Sequence, residues 1–388
     1  MIQARRIDHR SRYLPRRHIA DAINFRIASR RRQLGTSRAF DAGEDVALAT
    51  LMLPFATGAL AWPQAHVLFA RARDGLPLQA VSRQGIVCEQ NFKPHADALQ
   101  RGGLAVVRQS AESFPLVLLL PPRQRNEARA ELARAVQRTT QGGTVAASIA
   151  NNEGAHSGEA DMQRLLGPVQ TLSKHKCRVF WATIREETLD RGLLAEWSDL
   201  DAPRPIAEGR FISRPGVFAW DRIDAASELL AARLPGDLAG RGADLGAGFG
   251  YLSTQVLARC ERVTSLDLYE ADARALDLAQ LNLSRSAATR VIPTKLDFLW
   301  HDVTAGLPRR YDFIVTNPPF HQGRADLPQL GRAFIAAAAD ALDPGGRLWL
   351  VANRHLAYEV VLSERFAVVR TVTTERGFKV IEATMAAK

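Results

Sequence analysis

The sequence predicts an α/β chain of two Rossmann-like domains in tandem, the C-terminal one a seven-stranded sheet and the N-terminal one a degenerate copy. Three observations carry this. Short apolar runs that read as buried parallel strands alternate with segments of helical periodicity. A strand ending at Asp244 runs into a Gly-rich turn, Gly246-Ala247-Gly248-Phe249-Gly250. One order of features also occurs twice: a strand leading to Pro-Pro, a helix, a Gly-Gly turn and a strand closing on Ala-Asn.

In the C-terminal half the first element is the strand leading to Asp244 and its turn, where glycines let a backbone approach a nucleoside ligand closely. A dinucleotide fingerprint would place its third glycine at 251, where this chain has Tyr251. The next strand is read over Arg262–Asp267, and Asp267 at its end is either an acceptor for ribose hydroxyls or a helix cap. Leu276, Ala279 and Leu283 recur at helical spacing, so an amphipathic helix follows. His301-Asp302 closes another strand; Asp302 is either an acceptor for an adenine amino group or a surface-turn aspartate.

The strand Tyr311–Thr316 then delivers Asn317-Pro318-Pro319-Phe320 to the sheet's carboxyl edge, where open α/β sheets bind ligands. An Ala-rich helix near 329–342 ends at Asp343-Pro344-Gly345-Gly346, a helix-stop sequence. The strand Arg347–Ala352 returns to the same edge at Asn353-Arg354-His355. Arg354 is either a phosphate or base contact or a solvated side chain. Closing strands at 366–372 and 377–384 complete the seven.

The tetrapeptide suits the presentation of an exocyclic amine to a methyl donor. A nucleobase amino nitrogen is a poor nucleophile because its lone pair is delocalised into the ring. Asn317 Oδ1 and the Pro318 carbonyl can accept its two N–H bonds and aim the lone pair. Pro318 and Pro319 stiffen the loop, and Phe320 offers a stacking face worth about 1–3 kcal/mol per base. An ordinary Pro-Pro strand exit with a core Phe is the bland alternative. The Gly turn and following acid in the same order argue against it.

These residues resemble the Class I S-adenosyl-L-methionine-dependent methyltransferases, and more narrowly the bacterial ribosomal RNA guanine-N2 methyltransferases of small-subunit (16S) type. The narrower likeness rests on Pro215-Gly216-Val217-Phe218 ahead of a helix holding Ser227, on Asn317-Pro318-Pro319-Phe320-His321, on Val351-Ala352-Asn353 and on Phe378-Lys379-Val380. It spans about residues 45–388, and Ala219-Trp220 departs from the small polar pair the family more often has. The resemblance implies methyl transfer from S-adenosyl-L-methionine to guanine N2, catalysed through Asn317, Pro318 and Phe320. It implies a cofactor held by the Gly turn with Asp244, Gly246, Gly248 and Gly250 and by the following acid Asp267, and a guanine held at the tetrapeptide that includes Pro319; beside it, Asp302 reads as a further cofactor contact and Arg354 and Lys379 as RNA contacts. Lys379 alternatively caps the closing strands. His321 adjoins the site, as a proton acceptor or as a structural histidine.

The implied partner is ribosomal RNA within the small subunit or its precursor; the chain is expected to be a cytoplasmic monomer without metal or membrane. Large-subunit (23S) guanine-N2 methyltransferases can share the two-copy layout, and DNA adenine-N6 and release-factor glutamine methyltransferases share the tetrapeptide. A non-enzymatic RNA-binding assembly factor with a vestigial site is the alternative outside enzymes.

The N-terminal half echoes the catalytic half without its chemistry. Phe114–Pro122 mirrors the strand into Pro318-Pro319, but Leu120 stands where the other copy has Asn317. The matching first strand, Ala65–Ala70, runs into Arg71-Ala72-Arg73-Asp74-Gly75 with no Gly-x-Gly-x-Gly. The expected division is an Arg-rich extension at 1–44, a degenerate methyltransferase-like domain at 45–198, a linker at 199–210 and a catalytic domain at 211–388.

Composition sets the outer bounds. At 388 residues and 46% apolar content the chain can fill two cores. No stretch approaches the roughly 18 apolar residues of a membrane span. Cys88, Cys177 and Cys260 form no CxxC pair, which argues against a zinc site or a disulfide framework. The net charge of +10 is local, because residues 1–40 hold eleven arginines against two aspartates. That stretch is an RNA-binding arm, an extension arising from a misassigned start, or a targeting segment. Unchanged RNA affinity and salt slope after its deletion would remove it from RNA binding.

Overall fold

The structure is a computed structural model that describes residues 45–64, 66–287, 293–319, 321–322, 325–326 and 328–387. Two short helices open it, α1 (Val46–Leu51) and α2 (Leu53–Thr57). Asp45 caps the first, its Oδ1 accepting from Leu48 N at 3.0 Å. There follow β1 (Val67–Ala70), β2 (Ile86–Glu89), α3 (Lys93–Arg101), β3 (Ala105–Val107), β4 (Phe114–Leu119), α4 (Arg125–Gln137), β5 (Thr139–Ala150), α5 (Ala155–Leu166), β6 (Gln170–Lys174), β7 (Cys177–Thr183) and α6 (Arg191–Ser198). The seven strands form one sheet in the order β3-β2-β1-β4-β5-β7-β6. β7 runs antiparallel to both its neighbours, and the other pairings are parallel. Val67, Leu68 and Phe69 are buried on both faces of the sheet, which is why β1 reads as an unbroken apolar run.

A ribbon of β8 (Arg204–Ile206) and β9 (Phe211–Ser213) leads into the second unit. In the stretch 199–210, Asp201 is 2% exposed and accepts from Arg134 at 2.9 Å twice and from Arg214 at 2.6 Å. The stretch is thereby tied to α4 on one side and to the exit of β9 on the other.

The second unit contains α7 (Ala225–Arg233), β10 (Gly240–Leu245), α8 (Tyr251–Arg259), β11 (Val263–Glu270), α9 (Ala273–Ala287), β12 (Lys295–Trp300), β13 (Tyr311–Thr316), a small hairpin of β14 (His321–Gln322) and β15 (Ala325–Asp326), α10 (Pro328–Ala341), β16 (Leu342–Asn353), α11 (Glu359–Arg365), β17 (Val368–Glu375) and β18 (Phe378–Thr384). Its large sheet has the order β12-β11-β10-β13-β16-β18-β17, position for position that of the first. The chain is therefore the tandem α/β architecture expected. Leu266, Leu268 and Phe313 pack with α8 and α9 on one face of this sheet; Ala243, Ile314 and Leu348 pack with α10 on the other.

Local boundaries differ where backbone geometry intervenes. β16 begins at Leu342 rather than Arg347, because Asp343–Gly346 forms a bulge where the pairing with β13 shifts register. β17 and β18 meet at Arg376-Gly377, both left-handed with φ of 52° and 83°, as a tight hairpin requires. Gly242 lets the central strands approach, since a Cβ there would lie 2.1 Å from the Phe313 ring. Cys88, Cys177 and Cys260 are buried. Among the described residues no helix is long and apolar enough to cross a membrane.

The two units meet through matching segments. Lys93 N donates to Ala271 O at 2.8 Å and Ala273 N to Asn91 O at 2.9 Å, with Phe92 bridged to Asp272. Asn91 and Ala271, and likewise Lys93 and Ala273, hold equivalent places in the segments that follow β2 and β11, so the contact is reciprocal, as in an isologous dimer. Trp300 closes over it, its Nε1 donating to Asn91 O and Ala271 O, with Lys93 Nζ 5.1 Å from the ring centre.

Candidate active site

The site lies outside the carboxyl ends of β10 and β13, where the strand order reverses direction. Leu245 pairs with Thr316 on one side and Tyr269 on the other. The next residues, Gly246, Asn317 and Glu270, are therefore presented side by side at one edge. Thr316 Oγ1 fastens the first two strands by donating to Leu245 O at 2.7 Å.

Gly246, Gly248 and Gly250 all have left-handed φ, at 71°, 56° and 88°. The turn is hung from the neighbouring strand, with Gly246 N and Ala247 N both donating to Tyr269 O. A Cβ on Gly248 would meet nothing within 4 Å, so the turn presents open backbone to a ligand. Asn282 of α9, 5% exposed, anchors the turn through Nδ2 to Phe249 O and Ile212 O, while its Oδ1 accepts from Ile212 N.

Asp244 is completely buried; its Oδ2 accepts from Ser253 N at 3.0 Å and Ser253 Oγ at 2.7 Å. Burial pushes its carboxyl up to about 6 against those two bonds. It thus holds the amino end of α8 behind the turn, with Oδ1 buried and without a partner among the described residues.

Asp267 is not where the sequence suggested. β11 continues three residues further, to Glu270, so Asp267 lies inside the strand, 4% exposed. Its Oδ2 accepts from Tyr311 Oη at 2.7 Å and Arg309 Nη1 at 2.8 Å, both at the start of β13 and away from the ligand edge. The acid at the edge is Glu270. Its Oε2 accepts from Gly248 N at 2.7 Å and its Oε1 from Asp272 N at 2.8 Å. Desolvation pushes this carboxyl up to about 7, opposed by the backbone bonds. The strand's pairing register was the signal needed to choose between the two acids. Asp302, beyond β12, accepts through Oδ1 from Thr304 N and Oγ1 as the cap of a single helical turn.

Asn317 is partly buried, and two groups hold its amide. Nδ2 donates to Asp224 Oδ2 and to Ser227 Oγ, both at 2.9 Å. A carboxylate only accepts, so Asp224 requires the amide nitrogen on its side and turns Oδ1 the other way. Asp224 is itself fixed as the N-cap of α7, its Oδ2 accepting from Ser227 N at 2.9 Å. Among the described residues nothing donates to Asn317 Oδ1 or to the carbonyl of Pro318. Pro318 is buried and Pro319 partly so; Phe320 lies outside the described residues. The role of Asp224 had no signature in sequence beyond a helix cap.

The two remaining candidates differ. Arg354 is exposed just past β16, its backbone N donating to Gly377 O at 2.8 Å. Lys379 is only 5% exposed, with Nζ donating to Leu356 O at 2.7 Å and paired with Glu359. Its ammonium is thus neutralised inside the domain, and a surface contact to RNA does not follow from its position.

The N-terminal copy shows what was lost. Ala70 pairs with Leu119 and Glu89 as Leu245 pairs with Thr316 and Tyr269, so Arg71, Leu120 and Gln90 correspond to Gly246, Asn317 and Glu270. Arg71 keeps the left-handed turn, with φ of 53°, but fills it with a side chain. Gln90 Oε1 accepts from Phe92 N, as Glu270 does from Asp272 N, while its Nε2 donates to Ala72 O at 2.6 Å. An amide at this point has no carboxylate to offer ribose hydroxyls.

A glycine cradle, an edge carboxylate and an oriented Asn-Pro-Pro on this sheet define a Class I S-adenosyl-L-methionine-dependent methyltransferase. Residues 208–382 match the family model of the methyltransferase small domain. The ribosomal RNA small subunit methyltransferase C of Psychromonas ingrahamii is 26% identical over 315 residues, covering 79% of this chain and 87% of that protein. The enzyme of the same name from Pseudomonas aeruginosa is 31% identical over 216 residues, 56% of this chain and 63% of its own length. Among solved structures, the T. thermophilus 16S rRNA N2 G1207 methyltransferase RsmC, in complex with AdoMet and guanosine, superposes with a TM-score of 0.72 at 25% identity, over 89% of this chain and 93% of that one. The chain is thus similar over most of its length to the bacterial ribosomal RNA small subunit methyltransferases C.

Proposed function

We propose that this protein methylates the exocyclic N2 amine of a guanosine in 16S ribosomal RNA, within the small subunit or its precursor, and works as a cytoplasmic monomer. The orientation of Asn317 carries the proposal, because Asp224 and Ser227 consume its N–H donors and leave Oδ1 as an acceptor. A guanine N2 amine has two N–H bonds to give. Asn317 Oδ1 and the Pro318 carbonyl take them, which draws the nitrogen toward tetrahedral geometry and turns its lone pair toward the cofactor side. Once methylated, N2 passes its surplus proton to water.

The residues fit the cofactor. The open backbone at Gly248 would lie against it, and Glu270 would accept from the ribose hydroxyls as the acid of related nucleotide folds does. Asp244 would support the turn from behind, and Asp302, whose Oδ1 caps the turn after β12, would accept from the adenine amino group. Bound S-adenosyl-L-methionine supplies a methyl group made electrophilic by its sulfonium. Pro319 and Phe320 would frame the base, and exposed Arg354 would meet an RNA phosphate.

The same proposal divides the chain into a non-catalytic unit at 45–198 and a catalytic one at 211–388, joined by 199–210 and preceded by the Arg-rich extension at 1–44. It is tested by nucleoside mass spectrometry of 16S rRNA from cells with and without the gene. Loss of a single N2-methylguanosine supports it; an unchanged nucleoside content overturns it.

A further inference from the structure

The N-terminal unit's counterpart of the Gly-turn edge meets the catalytic unit in a buried ion pair. Glu127, in the first turn of α4, carries a carboxylate that is 3% exposed. Its Oε1 accepts from Arg71 Nη1 at 2.8 Å and from Arg274 Nη1 at 2.6 Å. Arg71 occupies the position that corresponds to Gly246, so the side chain that fills the old cradle now serves this ion pair. Arg274 belongs to the catalytic unit, where its Nη2 and Nε reach Asp272 Oδ2 and Oδ1 at 2.8 and 3.1 Å. Asp272 N in turn donates to Glu270 Oε1 at 2.8 Å. Gly216 also rests on the carboxylate: a Cβ there would lie 2.3 Å from Glu127 Cδ. Arg71, Glu127, Gly216, Asp272 and Arg274 line one cavity of about 590 Å³ between the units.

We propose that Glu127 is a positioning residue for cofactor binding, acting across the domain boundary through Arg274 and Asp272 on Glu270. A buried carboxylate between two guanidinium groups has little freedom, and a buried charge that loses its partner is strongly disfavoured. Glu127 therefore fixes where Arg274 stands. The bidentate Arg274–Asp272 pair then fixes the turn whose amide holds Glu270. The inference rests on Glu270 being the carboxylate that receives the ribose. It gives the N-terminal unit a part in catalysis that needs no contact with substrate.

The test is calorimetric titration of S-adenosyl-L-methionine into the full chain, together with kcat and KM for methyl transfer to 16S rRNA. Glu127→Gln keeps the volume beside Gly216 but removes the charge. Its expected effect is a cofactor Kd and KM raised about 3- to 30-fold with kcat at saturating cofactor within twofold. A purely architectural role would lower the melting temperature without moving Kd. Arg274→Lys, which keeps a charge but cannot hold both carboxylates in the same fork, has the same expected effect and serves if Glu127→Gln does not fold. Glu270→Gln is the reference variant. If it weakens binding while folded Glu127→Gln and Arg274→Lys bind as the parent does, the proposal is overturned. If Glu270→Gln itself binds like the parent, the ribose assignment falls and the route through it falls too.

Discussion

Asp224→Ala separates the orientation of Asn317 from the binding of cofactor. The Asp224 carboxylate receives Asn317 Nδ2 at 2.9 Å and, on the same oxygen, the Ser227 amide at the start of α7. Loss of an N-cap costs about 1 kcal/mol of stability. Loss of a hydrogen bond to a charged acceptor is worth about 1.5–3 kcal/mol, and here it releases the Asn317 amide to rotate. If that energy appears in the transition state, kcat falls about 10- to 150-fold. In the proposed site the cofactor would lie against the Gly turn and Glu270, so its Kd should stay within twofold. Asp224→Asn should restore the cap and part of the rate, because its side-chain oxygen can still accept. The assay is steady-state transfer of labelled methyl into 16S rRNA, paired with calorimetric cofactor binding. A kcat within threefold of the parent would refute the reasoning, as would a cofactor Kd that weakens in step with kcat/KM.

Other outcomes follow from the cofactor side. Burial raises the Glu270 carboxyl to about 7, so in the free protein it is largely protonated below that pH. Ribose hydroxyls donate best to the carboxylate, so cofactor affinity should tighten as pH rises through about 7, by up to about tenfold per unit below it; a flat titration from pH 5.5 to 8.5 would contradict this. Gly250→Ala forces alanine to φ 88° and sets its Cβ 2.5 Å from Leu283 Cδ1 and 3.2 Å from Ala279 Cα. Thermal unfolding should show a loss of about 1–3 kcal/mol. Gly248→Ala, at φ 56° in open space, should cost only about 1 kcal/mol of stability yet weaken cofactor binding by a larger factor.

What could be read from the sequence was local in the chain. The Asn-Pro-Pro at a strand exit, the Gly turn and the duplicated order each occupy a few adjacent residues, and each is where it was expected. What could not be read depends on pairing between distant segments. The run Val-Thr-Ser-Leu-Asp-Leu-Tyr-Glu offers two acids, and only the match of Leu245 with Tyr269 shows that the strand runs on past Asp267. The partners that hold Asp267 inside the strand, Arg309 and Tyr311, lie 42 and 44 residues away. The choice for Lys379 between an RNA contact and a cap was open for the same reason, since Glu359 and Leu356, which hold it, are 20 and 23 residues upstream. The Glu127–Arg274 contact spans 147 residues and two units, beyond any local pattern.

The most direct measurement of the central claim is transfer of isotope-labelled methyl from S-adenosyl-L-methionine to 16S rRNA that lacks the modification, presented free and in small subunits. The products are digested to nucleosides and identified by mass. The parent protein should place its label on guanosine N2 alone, and Asn317→Ala should lower kcat by about 10²-fold or more, as loss of a preorganised polar group does elsewhere, while cofactor affinity is retained. Label on any other atom, or full transfer by Asn317→Ala, would contradict the account.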